Sequence, residues 1–199
     1  VQANFGRRDE LLVAGVPVGS EIPEEPAYAA LPRPTDRDLG SIIVVMATDA
    51  PLLPLQCRRL AQRAGFGVAR TGGVGENSSG DLFLCFATGN RGLTAADDEP
   101  SGHATETLAM LHDSHIDGLF HAVIEATEEA VLNAMLAADT MTGRDGVTAH
   151  ALPAGELLRL LAGVDRPSSG DVIMDGVPLP AGNVRAAIEA GIGLLPEER

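Results

Sequence analysis

The chain is poor in aromatic residues, in basic residues and in cysteine. It has no Trp, one Tyr and five Phe, so its core must pack through the small and branched aliphatic residues that dominate its composition. Its formal net charge of −14 argues against nucleic-acid binding, because binding to phosphates requires many Lys and Arg side chains. No run of ~18 apolar residues exists, so we expect no membrane-spanning helix and no membrane partner.

The two cysteines lie in apolar or amphipathic stretches, without a metal-ligand spacing such as C-x-x-C. Because free cysteine is among the most buried residue types, we expect Cys57 and Cys85 to be buried thiols. We expect no metal and no cofactor. The chain starts without Met or a signal peptide and reads like the middle of a protein, so a cytoplasmic location is expected.

Hydrophobic patterning predicts an α/β domain. Strands are expected at 1–5, 10–18, 41–47 and 82–88, and helices at 54–64 and 117–139. In the first long helix, Leu55, Leu60 and Ala64 are expected to face the core. Residues 19–39 have the composition of a linker, and 70–81 and 90–103 that of loops. Beyond residue 153 the patterning predicts a helix at 155–162, a hairpin around Asp175-Gly176, a helix ending at Gly191 and a strand at 192–199.

One short segment raises a chemical question. The run TDRDLGSIIVVMATDAPL, residues 35–52, joins a charged segment to a β-branched strand at Gly40-Ser41. Serine is ordinarily only the first residue of such a strand. It becomes a nucleophile when a base takes its proton, and its own α-amine, with a pKa of roughly 7.7–8.0, can do so once the preceding bond is cut. Glycine suits such a cut because it tolerates strained dihedrals and leaves its carbonyl open to attack.

Other sources of chemistry are weaker in this sequence. No G-x-S-x-G nucleophile elbow exists, so a Ser-His-Asp hydrolase is not supported. The Gly-rich GENSSGD is not followed by Lys and a helix, which argues against a phosphate-binding loop. The acidic residues of the second long helix are expected to form a solvated face: Glu125, Glu128 and Glu129. The histidines are expected to be surface or loop groups: His103, His112, His115, His121 and His150.

Three stretches resemble the L-aminopeptidase/D-esterase family of self-processing aminopeptidases, which includes the β-peptidyl aminopeptidases. They are VQANFGRRDELLVAGVPVG at the start, GSIIVVMATDAPLLPLQCRRLAQRAGFGVARTGGVGENSSGDLFLCFATGN from Gly40, and LFHAVIEATEEAVLNAMLAADTMTGRDGVTAHALP from Leu119. The resemblance covers residues 1 to about 153. It implies an αββα four-layer sandwich, here truncated, followed by a small C-terminal strand-helix segment.

The resemblance also implies site residues. Family precursors cut themselves at a Gly-Ser bond into an α and a β chain, which corresponds here to Gly40-Ser41, with Ser41 as the nucleophile. Ser79 and Asp81 match the family's GSGD/GSGE segment, so Ser79 would relay the proton and Asp81 would orient the new amine. Asn4 in QAN would supply an oxyanion-hole amide. On the residues alone, Ser79 and Asp81 remain ordinary turn formers and Asn4 a strand-end residue.

The C-terminal stretch ELLRLLAGVDRPSSGDVIMDGVPLPAGNVRAAIEAGIGLLPEER resembles a nucleotide-binding subunit of sugar-type ABC importers. Such subunits carry G-x-x-x-x-G-K-[ST] just before this helix, whereas ALPAGE stands there, so no ATP binding is expected. We therefore expect three segments, joined like a fusion of two truncated reading frames. They are an α-chain end with its linker at 1–40, a β chain at 41–153 and a partial ATPase-like segment at 154–199.

The sequence favours one function and leaves another open. The first is a self-cleaving serine aminopeptidase or amidase-esterase that releases N-terminal residues through an acyl-enzyme on Ser41. Its substrates would be small peptides, amides or esters with a free amino group. Because most of the α chain, with the acidic group that holds the substrate amine, is expected to be missing, activity is expected to be weak or absent. The alternative is a non-catalytic fusion fragment. Family members are homo-oligomers, and the parent enzyme can be cytoplasmic or periplasmic.

Overall fold

The computed structural model describes residues 1–22, 40–77, 79–93, 105–146 and 148–192. The strands are β1 (Gln2–Asn4), β2 (Ser41–Thr48), β3 (Leu82–Ala87), β4 (Met141–Thr142), β5 (Thr148–Ala149), β6 (Val172–Met174) and β7 (Val177–Leu179). The α-helices are α1 (Val18–Glu21), α2 (Pro54–Arg70), α3 (Asp117–Leu136), α4 (Ala154–Leu161) and α5 (Val184–Glu189). Short 3-10 turns lie at Arg8–Glu10, Asp113–His115 and Arg144–Gly146.

A mixed three-stranded sheet in the order β1-β2-β3 forms the centre of the first unit. β1 runs antiparallel to β2, with Asn4 opposite Ser41, and β2 runs parallel to β3, with Ile43 opposite Leu82. The parallel pair is connected through α2, because strands that point the same way need a crossover. Successive side chains of β2 point to opposite faces of the sheet, so one face of this strand lies toward the core and the other faces away from it.

The buried face of this sheet packs against α2 and α3. Its core contains Ile42 and Val44 from β2, and Leu60 and Ala64 from α2, each at most 3% exposed. The two helices approach closely at Gly67, where a Cβ would lie 2.6 Å from the carbonyl oxygen of Ile124. Only glycine allows that approach, so this one position fixes how near α3 can lie to α2.

The start of α2 is anchored by Gln56. Pro54 occupies the first turn, where a missing N–H costs nothing. The Oε1 of Gln56 accepts the N–H of Leu53 at 3.1 Å, and its Nε2 donates to the carbonyl of Leu111 at 2.8 Å and to Oδ1 of Asp113 at 3.0 Å. Gln56 is only 4% exposed, so this buried amide ties the helix start to the segment that leads into α3.

The opposite face of the same sheet is apolar and open to solvent in the structure. Five large side chains on it are 43–62% exposed: Ile43, Val45, Leu82, Leu84 and Phe86. An apolar patch of neighbouring residues on two paired strands is unusual for a solvated surface and marks a face that another layer covers. The described residues thus supply one sheet with helices on one side only.

A second, smaller core joins the C-terminal segment to the residues that follow β1. Val13, Val16 and Val18 pack against Leu157, Leu160 and Val172. Backbone contacts reinforce the packing, since the N–H of Ile173 donates to the carbonyl of Ala14 at 3.0 Å. The β6-β7 hairpin closes through Asp175-Gly176, whose φ angles of 50° and 77° suit a tight two-residue turn. The C-terminal segment is therefore packed onto the first unit.

Most predicted elements of the sheet and helices are confirmed within one or two residues, but two extents differ. The first long helix continues six residues past the predicted end, to Arg70. The second ends at Leu136 instead of 139. The predicted hairpin and the helix before Gly191 are confirmed. Residues 19–21 of the predicted linker instead belong to α1. Residues 23–39 of that linker, residues 94–103 of the predicted loop with His103, and residues 193–199 of the predicted last strand lie outside the described residues.

Three expectations are wrong. Residues 10–18 do not form a strand; they form the end of a 3-10 turn, a single bridge between Val13 and Val16, and the start of α1, because Gly15 at φ +83° turns the chain back on itself. Leu55 is 68% exposed, since it lies about 140° around the helix from Leu60, and Cys57 takes the core-facing position. Cys57 is buried as expected, but Cys85 is only partly so.

No helix among the described residues is long and apolar enough to cross a membrane. Nor do those residues contain a group of three or more His, Cys, Asp or Glu side chains arranged to hold a metal ion. The described histidines are exposed or half-buried, as expected. Within the acidic helix face, Glu125 and Glu129 are exposed and Glu128 pairs with Arg70 at 3.1 Å.

Candidate active site

Strand direction brings the predicted site residues to one edge of the sheet. β2 and β3 are parallel, so their first residues, Ser41 and Leu82, lie at the same edge, and the loop that precedes β3 ends there. β1 is antiparallel, so its last residue, Asn4, lies there as well and pairs directly with Ser41. The sheet topology therefore places together three segments that are far apart in the sequence.

Ser41 contacts the loop before β3 through its hydroxyl group. The N–H of Gly80 donates to Oγ of Ser41 at 3.2 Å. A Cβ at position 80 would lie 3.1 Å from that same oxygen, so glycine leaves room for the hydroxyl. The Ser41 side chain is exposed, which makes it accessible to a substrate.

Ser79 and Asp81 flank Gly80 and are hydrogen-bonded to each other. The hydroxyl of Ser79 donates to Oδ1 of Asp81 at 2.5 Å, a short charge-assisted contact. The Ser79 N–H donates to the carbonyl of Glu76 at 2.8 Å, which holds the loop in place. Because the Ser79 hydroxyl donates its hydrogen bond to the carboxylate, the lone pairs of its oxygen remain available to accept from a neighbouring hydroxyl or ammonium group.

Gly40 packs against the backbone of Asn4. A Cβ on Gly40 would lie 1.3 Å from the carbonyl oxygen of Asn4 and 2.8 Å from the Cα of Phe5. No other amino acid fits there without moving the backbone, so the requirement for glycine before Ser41 is steric in this structure. The pairing of β1 with β2 sets this contact, since Asn4 is the partner of Ser41.

A cavity of about 160 Å³ adjoins this edge of the sheet. It is lined by four of the five predicted site residues: Asn4, Gly40, Ser79 and Asp81. Three carboxylates, from Glu10, Glu76 and Asp81, and one guanidinium, from Arg7, also line it. The Arg7 side chain lies 3.7 Å from Asp9, a carboxylate outside this lining. The cavity is thus acidic, which suits cationic or neutral groups better than anions.

Sequence reasoning missed Glu10. It ends the 3-10 turn after β1, and its Oε2 is buried without a hydrogen-bond partner among the described residues. A carboxylate oxygen in that state is rare in folded proteins, because buried polar groups are nearly always hydrogen-bonded. The one signal in the sequence was its nearness to Asn4, six residues earlier, which a predicted strand at 10–18 concealed.

A second hollow, of about 460 Å³, lies between α2 and β3. It is lined largely by apolar residues together with Cys57, Cys85 and Arg58. Burial, assisted by the neighbouring Cys57 thiol, raises the pKa of the Cys85 thiol to about 11. A thiol that holds its proton so firmly is a poor nucleophile near neutral pH. This hollow therefore lacks the reactive group that the first cavity adjoins.

Known proteins resemble most of this chain. The model of peptidase family S58 matches residues 1–149. A beta-peptidyl aminopeptidase of Sphingosinicella microcystinivorans is 44% identical over 169 residues, which cover 81% of this chain and 41% of that protein. The structure of a Burkholderia sp. beta-aminopeptidase superposes with a TM-score of 0.67 at 48% identity, over 79% of this chain and 41% of the other.

A second structure gives the fold a name. The L-aminopeptidase D-Ala-esterase/amidase of Ochrobactrum anthropi, described as a variant of the Ntn hydrolase fold, superposes with a TM-score of 0.63 at 38% identity. The match covers 80% of this chain and 41% of that one. The chain therefore spans about two fifths of the length of these relatives. Its mixed α/β architecture is that of Ntn-hydrolase-type aminopeptidases, as expected from the sequence.

The C-terminal segment resembles a different group of proteins. The arabinose import ATP-binding protein of Pseudomonas syringae is 54% identical over 44 residues, which cover 22% of this chain and 9% of that protein. This short match agrees with the predicted resemblance to sugar importers. It does not extend over the cavity, because the lining residues all lie between Asn4 and Asp81.

Proposed function

Because the chain belongs to peptidase family S58, we propose that it is a serine aminopeptidase or amidase-esterase that cleaves itself between Gly40 and Ser41. The observation that carries this proposal is the convergence of Asn4, Gly40, Ser41, Ser79 and Asp81 at one sheet edge beside an acidic cavity. The named relatives, a beta-peptidyl aminopeptidase and a beta-aminopeptidase, support the reaction class.

Self-cleavage begins at the Gly40 carbonyl. The Ser41 hydroxyl oxygen attacks the carbonyl carbon, the peptide C–N bond breaks, and the nitrogen takes the hydroxyl proton. The Gly40 acyl group is then linked to Ser41 Oγ as an ester, and the former amide nitrogen is a primary amine. Water hydrolyses the ester and frees both the hydroxyl and the amine of Ser41. The matured Ser41 thereby carries its own base.

Ser79 and Asp81 hold the proton during this chemistry. Because the Ser79 hydroxyl donates to Asp81 at 2.5 Å, its oxygen is left to accept from the Ser41 hydroxyl or amine. The negative charge of Asp81 favours the ammonium form that develops when the Ser41 amine takes a proton. Asn4, on the neighbouring strand, supplies an N–H donor for the oxyanion that forms on the substrate carbonyl.

Turnover uses the same serine. The hydroxyl of Ser41 attacks the carbonyl of an amide or ester next to a free amino group, the amine or alcohol leaves, and water releases the acyl group. The acidic lining from Glu10, Glu76 and Asp81 favours substrates that carry a free ammonium group. The substrate class is therefore small peptides, amides and esters with a free N-terminus.

Activity of residues 1–199 alone is proposed to be weak. The relatives are more than twice as long as the matched stretch, and the open apolar face of β2 and β3 is suited to a second sheet. We propose that such a second sheet, which the described residues do not include, completes the four-layer αββα arrangement of the family. Without it, one wall of the substrate site is absent.

The open sheet face also favours the second candidate, a non-catalytic fusion fragment. In that case the 154–199 segment is an acquired piece of an ATP-binding protein that stabilises an incomplete peptidase domain. Its packing against Val13, Val16 and Val18 supports such a stabilising role. Catalysis at Ser41 distinguishes the two candidates.

The test is a covalent trap during turnover. The chain is incubated with a β-aminoacyl ester and with its N-acetylated form, quenched in acid, and its mass is measured beside a Ser41→Ala variant. We expect an acyl adduct on the peptide that begins at Ser41, formed only from the free-amine ester and only with the serine present. Absence of the adduct from a self-cleaved chain would contradict aminopeptidase activity and favour the non-catalytic fragment.

A further inference from the structure

Glu10 belongs to the acidic lining of the cavity, and the self-cleavage steps give it no role in proton transfer. It lines the cavity together with Gly40, the residue whose carbonyl becomes the ester, and with Asn4. Its Oε2 is buried and lacks a hydrogen-bond partner among the described residues. A buried carboxylate oxygen without a donor is stabilised when an N–H or O–H group donates a hydrogen bond to it.

The backbone around Glu10 is held firmly enough to aim its side chain. A Cβ on Gly72 would lie 1.9 Å from the carbonyl oxygen of Glu10, so the two backbones are in close contact. The Glu10 N–H donates to the carbonyl of Arg7 at 3.1 Å within the 3-10 turn. The turn begins four residues after the last residue of β1, so the pairing of Asn4 with Ser41 also restricts where Glu10 lies.

The cavity has room for the reagent that self-cleavage requires. Its volume of about 160 Å³ exceeds the roughly 30 Å³ that one water molecule occupies in the liquid. Polar groups on several sides, from Asn4, Glu10, Ser79 and Asp81, are the surroundings in which proteins hold ordered water. A water molecule that enters this cavity beside Gly40 can attack the ester, and it needs a base that takes its proton.

Ser79 and Asp81 are poorly suited to that task. The Ser79 hydroxyl already donates its hydrogen bond to Asp81, and this pair serves the Ser41 side of the scissile bond, through Gly80. Glu76 also lines the cavity, but it is not among the buried groups that lack a partner. Among the described carboxylates that line the cavity, Glu10 alone combines a wall position with an unpartnered buried oxygen.

We infer that the Glu10 carboxylate is the general base for the water molecule that hydrolyses the Gly40–Ser41 ester during self-cleavage. The inference rests on the proposed function, since it requires the ester on Ser41. The water oxygen bonds to the Gly40 carbonyl carbon while Glu10 takes one water proton. The C–Oγ bond then breaks and Glu10 returns the proton to Oγ, so the products are the free Ser41 hydroxyl and the Gly40 carboxylic acid, which releases its remaining proton to solvent.

The experiment follows the intact mass of the purified full chain and of Glu10→Gln, with and without neutral hydroxylamine. Hydroxylamine attacks esters without a general base, and it leaves a hydroxamate on Gly40. We expect the wild-type chain to separate at residues 40 and 41 unaided. Glu10→Gln is expected to separate about 10²–10⁴-fold more slowly, the usual contribution of a general base, and to be rescued by hydroxylamine. Glu10→Asp should recover part of the rate.

Three controls keep the outcomes distinct. Ser41→Ala should resist hydroxylamine, because it forms no ester. Asp9→Asn removes the neighbouring exposed carboxylate, which lies outside the cavity lining, and should separate like the wild type. Circular dichroism melts of Glu10→Gln and Asp9→Asn show whether folding is unchanged, and hydroxylamine rescue itself requires that the ester has formed in a folded chain.

The contrary results are equally specific. Separation of Glu10→Gln at the wild-type rate, or an uncut Glu10→Gln that hydroxylamine does not cut, would overturn the role of Glu10. A wild-type chain that separates only with hydroxylamine would overturn it too, while leaving Ser41 as the self-cleaving residue. A wild-type chain that stays whole under both conditions would contradict this inference and the proposed function together.

Discussion

The two hydrophobic cores of this chain are built very differently. The first joins an eight-residue strand to helices of 17 and 20 residues, and its sheet edge carries the candidate site. The buried residues of the second lie mainly in elements of three to eight residues, and none of them lines the cavity. Residues 1–22 belong to both, because β1 extends the first sheet and Val13, Val16 and Val18 pack in the second core.

The difference between the two cores shows that the arrangement of the strands, not hydrophobicity, decides which core carries the candidate site. Both cores bury aliphatic side chains of the same kinds. Only the first has two parallel strands, whose starts lie at one edge and bring distant loops together. The second core instead packs onto the stretch that connects Asn4 and Glu10 to α1, so it is placed to support the site without entering it.

The largest expected effect is a loss of stability caused by truncating one buried leucine in each of the two cores. Leu60→Ala removes a side chain that is 2% exposed between the sheet and α2, and should lower the free energy of unfolding by about 2–5 kcal/mol. Leu160→Ala, in the smaller core, should lower the free energy of unfolding by an amount toward the lower end of that range. The short elements around Leu160 can relax into the space that the truncated side chain leaves. Chemical denaturation of both variants measures the difference. An equal or larger loss for Leu160→Ala would contradict the ranking of the cores.

A smaller loss is expected at the polar anchor of the first core. Gln56→Leu keeps the approximate volume but leaves the Leu53 N–H and the Leu111 carbonyl without their side-chain partners. We expect a loss of about 1–3 kcal/mol, the usual cost of leaving a buried polar group unsatisfied. Gln56→Glu is the matched variant, since it retains the acceptor for Leu53 and loses both donors. In thermal melts at neutral pH, its melting temperature should be lowered about as much as that of Gln56→Leu. A melting temperature equal to that of the wild type for either variant would refute the anchoring role.

The attachment of the C-terminal segment should depend on pH through Glu21. Its carboxylate accepts from the hydroxyl of Ser168 and from the Ser168 N–H, and these hydrogen bonds lower the pKa of Glu21 below its usual range. A carboxyl group whose pKa is lowered in the folded protein stabilises the fold at pH values above its ordinary pKa. This stabilisation is lost as the pH falls through the lowered pKa. Hydrogen exchange at the Ser168 amide should therefore be faster in Glu21→Gln at neutral pH. An unchanged exchange rate would contradict this contact.

The smallest effect is one of thiol reactivity, and it sharpens the contrast between the two hollows. Because the pKa of Cys85 is raised to about 11, the thiolate is scarce at pH 8 and alkylation by iodoacetamide should be far slower than for a free thiol peptide. The rate should increase as the pH rises toward that value. Mass spectrometry of the Cys85 peptide, with a Cys57→Ala variant as control, checks this. Rapid labelling at pH 8 would show that the hollow activates Cys85.

The sequence predicted the first core well because its elements are long and periodic. Alternating β-branched residues located β2, and helical spacing located α2 and α3. Leu55 was misplaced because the pattern of leucines alone does not fix the angle at which the helix meets the sheet. Residues 10–18 were misread because they form a short, mostly apolar run that is typical of a strand, whereas Gly15 turns the chain back on itself at the Val13–Val16 bridge.

The site followed from motifs, and its completion required tertiary structure. Asn4, Gly40, Ser41, Ser79 and Asp81 were all named in advance, and the structure places them at one sheet edge. Glu10 was not, because nothing local distinguishes it from other acidic residues near turns. Its unpartnered oxygen and its place in the cavity wall exist only when the 3-10 turn packs against Gly72.

The most direct test of the account is the intact mass of freshly purified wild-type chain, compared with Ser41→Ala after the same incubation. The account predicts two wild-type fragments, residues 1–40 and 41–199, with N-terminal sequencing of the larger one starting at Ser41, and a single uncut Ser41→Ala chain. One uncut 199-residue species in both samples, or the same cleavage in both, would contradict Ser41 as a self-cleaving nucleophile.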